Sequence, residues 1–161
     1  MTDNIAMALQ LARHSAAFIL AGFSAAVSWA IIPATYSMSS ANALTVFRTS
    51  LSKGATFIPP VAILNLVVTG VAAYCNARQR TSLLIIVALL FAPIIFTRAV
   101  MFDGLQTLLE LEQSTTEKQS ASAGQTFALL EAFAAQNYVR VGMFLAAGIF
   151  GLFLLFDNIR G

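Results

Sequence analysis

An all-α integral membrane four-helix bundle, with short helices in its two long loops, is the architecture expected of this chain, on three grounds. Of 161 residues, 58% are hydrophobic and 10% charged, and the mean hydropathy is +0.80, well outside the range of water-soluble domains. The apolar residues gather into four blocks, each close to the roughly 20 residues that carry a helix across the hydrocarbon core. Charge, proline or turn residues bound each block, as suits helix ends at the headgroups. Nothing is left over for a soluble module, so residues 1–161 form one transmembrane domain.

The spans fall at about residues 15–32, 57–74, 82–101 and 138–156. The first follows Arg13 and His14 and stops at Pro33; the second follows Lys53 and Gly54; the third follows Arg78 and Arg80; the fourth precedes Asp157 and Arg160. A basic residue before an apolar run also describes a secretory signal peptide. The first block is longer than a signal core, its small residues lie mid-helix, and three further spans would hold the chain in the membrane. Two stripes of small residues mark that block, Ala17, Ala21 and Ala25, and Gly22, Ala26 and Ala30; Ala147 and Gly151 mark the last. Such spacing lets helix backbones approach closely in lipid.

The connections are unequal. Residues 75–81 form the only short one, so both termini share its face, and the two long loops share the other. In the first long loop, residues 41–51 suit a short interfacial helix with Leu44, Phe47 and Leu51 on one side. The second suits two helical pieces, residues 105–118 and 126–136, split at 120–124. Arg13, Arg78, Arg80 and Arg160 fall on the terminal face, which the positive-inside rule places in the cytosol, in an intracellular membrane.

Several functions are disfavoured by omission. A net charge of +2 with no basic stripe offers nothing to nucleic acid. One cysteine, Cys75, and one histidine, His14, make neither a disulfide nor a Cys- or His-rich metal site, and no glycine-rich dinucleotide loop or phosphate loop is present.

Ionisable residues at membrane depth are costly and point to function. His14 opens the first span at the terminal face, roughly 25 Å along the helix axis from Arg98 and Arg140, which belong to the other face. There a constellation assembles: Tyr36 and Lys53 beside the first and second spans, Thr97, Arg98 and Asp103 closing the third, and Asn137 and Arg140 opening the fourth. Asn137 and Arg140, three residues apart, share a helical face. Trp29 and Asn65 lie about two turns inward, as an aromatic wall and an amide floor. The plainer alternatives are that the arginines reach for lipid phosphates and that Trp29 packs or anchors.

These residues stand in motifs that resemble the anthrone oxygenase-like family of small four-span membrane proteins. The motifs are a glycine-containing first helix ending at proline (AGFSAAVSWAIIPA), SKGATFIPP before the second helix, FTRAVM closing the third and QNYVR opening the fourth. Two departures stand out. Where relatives often carry proline and asparagine after the third-helix methionine, this chain reads Met101-Phe102-Asp103-Gly104; Phe133 replaces a tryptophan before the asparagine–arginine pair.

The resemblance implies an oxygenase that converts a polyketide anthrone to an anthraquinone with O2 and no cofactor, in secondary-metabolite biosynthesis. It implies removal of a methylene proton by a base and stabilisation of the anion by cations. On that reading Arg98 and Arg140 face the developing charge, Asn137 orients the substrate carbonyl, and Asp103, with Glu131 second, is the base. Trp29, Tyr36, Lys53, Asn65 and Thr97 then line the substrate. The partners are an anthrone, O2 and the bilayer; a homo-oligomer is compatible with the chain. The competing class is a non-catalytic membrane scaffold or small transport subunit, with arginines on lipid and the acidic loop on a partner.

Overall fold

The computed structural model describes the backbone of residues 2–160, and the side chains of these except 2–9, 116 and 158–160. The chain is 92% helical, with no strand among the described residues. Four helical stretches are long and apolar enough to cross a membrane: Gln10–Thr35, Ser40–Cys75, Arg80–Glu112 and Ala123–Asp157. They run up, down, up and down, and each packs on its sequence neighbours, with the first closing the ring against the last.

The helices are longer than the apolar blocks. The first comprises α1 (Thr2–Ala26), a π-helical segment Val27–Ile31 and α2 (Ile32–Thr35). The second is α3 (Ser40–Cys75), 36 residues or about 54 Å at 1.5 Å per residue, so it outreaches a hydrocarbon core of about 30 Å. The expected interfacial helix at 41–51 is the beginning of α3. Ser39 starts it, its hydroxyl accepting the Asn42 N–H, and nothing interrupts the backbone before the span. Leu44 and Phe47 lie on one face as expected, and they pack into the bundle and not onto a membrane surface.

The third stretch comprises α4 (Arg80–Phe96), a second π segment Thr97–Met101 and α5 (Phe102–Glu112). The last is α7 (Ala123–Arg160), which absorbs the expected piece 126–136. Breaks fall at 113–115 and at Ser122, around the small α6 (Thr116–Ala121). Gln119 holds that corner, its amide donating to the carbonyls of Glu112 and Ser114.

Two apolar cores fill the ring. On the long-loop side Ile32, Leu44, Phe47, Met101, Leu108 and Leu130 meet, with Phe47 edge-on to Phe133 at 5.0 Å between centroids. On the terminal side Leu20, Ile86, Leu90 and Phe144 pack with the small Ala17, Ala21 and Ala147. Of the two stripes expected on the first span, Ala17 and Ala21 are buried, whereas Gly22, Ala26 and Ala30 face outward.

Arg13 and His14, expected as a flank at the headgroups, are buried at 7% and 3% exposure. Glycines make room for α1: the His14 ring lies directly on the Gly151 backbone, and a Cβ at Gly148 would come within 3.0 Å of Phe18. Gly142 on the same helix faces open space. Gly151→Ala should therefore push α1 off α7 and lower stability by about 1–3 kcal/mol, the usual cost of overpacking. Gly142→Ala should be neutral or stabilising, by up to about 1 kcal/mol. Thermal unfolding of the two variants in detergent distinguishes them.

Candidate functional site

Between the two cores a cavity of about 160 Å³ remains. Phe23, Ser24 and Val27 of the first helix form one wall, and Phe47, Gly54 and Pro59 of α3 another. Thr97 and Leu105 come from the third helix, and Phe133, Asn137 and Arg140 from α7. The lining is almost wholly apolar, with Asn137 and Arg140 of α7 and Ser24 of α1 as its polar end and the hydroxyls of Ser50 and Thr97 on the other two helices. Ala55 and Pro59 line it and are exposed, so the cavity reaches the outer, lipid-facing surface along α3. Gly54 is needed there because the edge of Phe23 lies 3.3 Å from where its Cβ would sit.

Asn137 organises the polar side. It is 2% exposed, and its amide nitrogen donates to the Ser24 carbonyl at 2.8 Å and to the Ser28 hydroxyl at 2.9 Å. Its carbonyl oxygen accepts Arg140 Nη1 at 3.1 Å, the contact that their three-residue spacing permits. Every polar atom of the Asn137 side chain is thus engaged, and the guanidinium is held from behind. Arg140 Nε and the Ser24 hydroxyl are buried with no partner. Unpaired donors in an apolar cavity cost free energy until something accepts from them, so this end is suited to an oxygen-bearing or anionic ligand. Among the described residues no carboxylate lines the cavity.

The two π segments border the site: Val27 and Ser28 begin one, and Thr97 begins the other. A π turn inserts a residue into a helix and recurs at functional sites. In the first, the Ile32 N–H reaches five residues back to the Val27 carbonyl, just ahead of Pro33, which has no N–H to give. In the second, the Thr97 hydroxyl donates to the Pro93 carbonyl at 2.7 Å.

Of the residues singled out from sequence, the cavity brings together Asn137, Arg140 and Thr97. The others lie elsewhere. Arg98 is exposed with its guanidinium 3.8 Å above the Phe102 ring, and Lys53 and Asp103 are exposed, as is Glu131. Trp29 is 76% exposed on the outer surface. Tyr36 is half exposed and edge-on to Phe127; partial burial and then the Glu131 carboxylate push its phenol upward, so it is protonated at neutral pH. Asn65 is buried within α3, accepting the Thr69 hydroxyl at its backbone carbonyl, with its amide nitrogen unpartnered. Among the described residues no three His, Cys, Asp or Glu side chains converge as metal ligands.

Sequence reasoning missed Ser24 and Ser28. Their signal was present, because two hydroxyls four residues apart in an apolar span mark a polar stripe seeking a partner on a neighbouring helix.

A family model described as Anthrone oxygenase matches residues 47–150. The match takes in α3 from Phe47 onward, the third helix and the Asn137–Arg140 pair, and begins after the α1 wall of the cavity. No curated protein and no solved structure matches the chain.

Asn137→Leu keeps the volume but strands Arg140, and should lower stability by about 1–3 kcal/mol. Ser28→Ala removes one of two acceptors and should cost only about 0.6 kcal/mol, the average for an interhelical hydrogen bond in a membrane. Thermal unfolding in detergent gives both values.

Proposed function

The chain belongs to the anthrone oxygenase family, and from that premise we propose that it oxidises a polyketide anthrone to the anthraquinone in the cavity between α1, α3, α5 and α7. The observation that carries the reading is the partnerless Nε of Arg140 at the polar end of an otherwise apolar cavity. A planar aromatic ketone fits that polarity, with its rings among Phe23, Phe47 and Phe133 and its oxygen toward Arg140. At about 160 Å³ the cavity is below the ~300–1,000 Å³ usual for ligand sites, so a tricyclic substrate requires side chains at its border, Phe23 foremost, to move. Entry from the lipid along α3 suits a flat molecule that partitions into membranes.

The reaction balances with O2 as the only oxidant: the anthrone methylene and O2 give a ketone and water. Loss of a methylene proton delivers an anion whose charge spreads to the carbonyl oxygen. Arg140, preorganised by Asn137, holds that oxyanion in a medium where a hydrogen bond is stronger than in water. The anion reacts with O2, and the resulting hydroperoxide loses water. Asp103, on the first turn of α5 two residues before the lining Leu105, accepts the proton through water, being outside the cavity. Arg98, stacked on Phe102 at the surface, serves lipid phosphate. Both termini lie in the cytosol, on the side of Arg78 and Arg80, and the membrane is intracellular.

The test is oxygen uptake by membranes containing the protein on addition of an emodin-type anthrone, with a chelator present and empty membranes as control. One O2 should be consumed per anthrone; the absence of uptake transfers the chain to the scaffold or transport class. Arg140→Gln should reduce the rate by about 10²–10³, the usual worth of an oxyanion donor. Asp103→Asn should reduce it less, by on the order of 10² at most, the lower end of general-base catalysis. An unchanged rate in Arg140→Gln removes that residue from the scheme.

A further inference from the structure

A second cavity lies at the opposite end of the bundle, where α1, α3 and the short turn to α4 meet, with a volume of about 670 Å³. Its apolar wall is Val67, Val71 and Leu83, and its polar rim is Gln10, Asn76 and Gln79. Arg13 enters from α1 and lines it. That arginine is 7% exposed, and its Nε is buried without a partner. Among the described residues its one side-chain hydrogen bond is from Nη2 to His14 Nε2, at 3.3 Å, which leaves most of its five N–H donors unused.

Among the described residues no carboxylate lines this cavity, and the one ion pair is Arg48 with Glu112, at the far end. A guanidinium without a counter-ion inside a bundle is costly unless an anion reaches it. The rim helps to fix where that anion lies in the bilayer. Asn76 and Gln79 are tied together, the Asn76 amide donating to Gln79 Oε1 and the Gln79 N–H to Asn76 Oδ1. Arg80 donates to the carbonyls of Ala73 and Tyr74 that end α3. This polar turn sits at headgroup level, while Val67 and Val71, the latter 58% exposed, continue the cavity along α3 toward the membrane interior. The cavity thus has a cation at the surface end and an aliphatic wall below it.

We infer that this cavity is a binding site for an anionic phospholipid, its phosphate on Arg13 and an acyl chain along Val67 and Val71. The exposed Arg78 beside the rim adds to the attraction for an anionic headgroup. The site is separate from the oxygenase cavity and shares no residue with it.

The purified full chain in neutral detergent is titrated with dioleoylphosphatidylglycerol, dioleoylphosphatidylcholine or sodium phosphate, and thermal unfolding is followed. The phosphatidylglycerol should raise the midpoint saturably and bind about five- to tenfold more tightly than the phosphatidylcholine, the worth of one cation at an anionic headgroup. Arg13→Gln should abolish that preference. Val71→Trp, which fills the apolar wall from an exposed position and leaves the charge in place, should weaken binding of both lipids. Equal binding of the two lipids by the unmodified chain overturns the proposal, and so does a full shift from sodium phosphate alone. If Arg13→Gln does not fold, Val71→Trp decides: undiminished phosphatidylglycerol binding in that variant overturns the assignment.

Discussion

Inside a bilayer a polar group that cannot reach water must find another part of the chain, and the contact between α1 and α7 meets this constraint at several depths. At one level Asn137 spans the two helices and supplies donors to a backbone carbonyl and a hydroxyl of α1. Nearer the termini, where no such bond occurs among the described residues, the helices meet by shape, with His14 and Phe18 laid on the backbones of Gly151 and Gly148. Close packing at one end and an amide bridge nearer the other fix the relative height of the two helices. Arg140 depends on that height, because its guanidinium is aimed into the cavity from behind by the same Asn137 that bridges them.

The third and second helices complete the site differently. They bring no charge to it, only the hydroxyls of Ser50 and Thr97, Leu105, Gly54 and the aromatic and aliphatic walls. Three prolines, Pro59, Pro60 and Pro93, lie within these helices and remove backbone donors where a straight helix would have them. The charge and the amide thus come from the α1–α7 contact, and the other two helices supply mainly shape.

Much of the fold was legible because hydropathy and length are properties that lipid reads directly. Four spans and a helical character for the long loops follow from apolar runs and their flanks, whereas the expected single short connection does not hold: residues 36–39 join the first two helices as tightly as 76–79 join the next pair. What the runs do not encode is where a helix stops once it leaves the hydrocarbon. Residues 126–136 have no breaker before the adjoining span, and 41–51 only the lone Gly54, which a helix tolerates, so each continues into its span. Span flanks mislead for a related reason: Arg13 and His14 read as surface charge, whereas Gly151 of α7 opens a place for His14 in the bundle and Arg13 is buried beside the cavity between α1 and α3. In the candidate site, Asn137 and Arg140 were visible through their spacing. Arg98 and Trp29 sit near them in depth, yet side-chain direction at a π segment departs from the 100° step on which a helical wheel relies.

That departure has a consequence for how the family's helices can vary. Each π segment is in effect one surplus residue absorbed as a wide turn, which keeps the α-helical parts on either side of it in phase. In the third helix, excision of one residue from Thr97–Met101 would close that turn to a regular α-helical one and leave Leu105 and Leu108 on the bundle side, while changing which side chains the segment itself presents. A single indel, with no change of amino-acid type, would thus alter what faces the cavity at that depth and leave the packing above and below it in place.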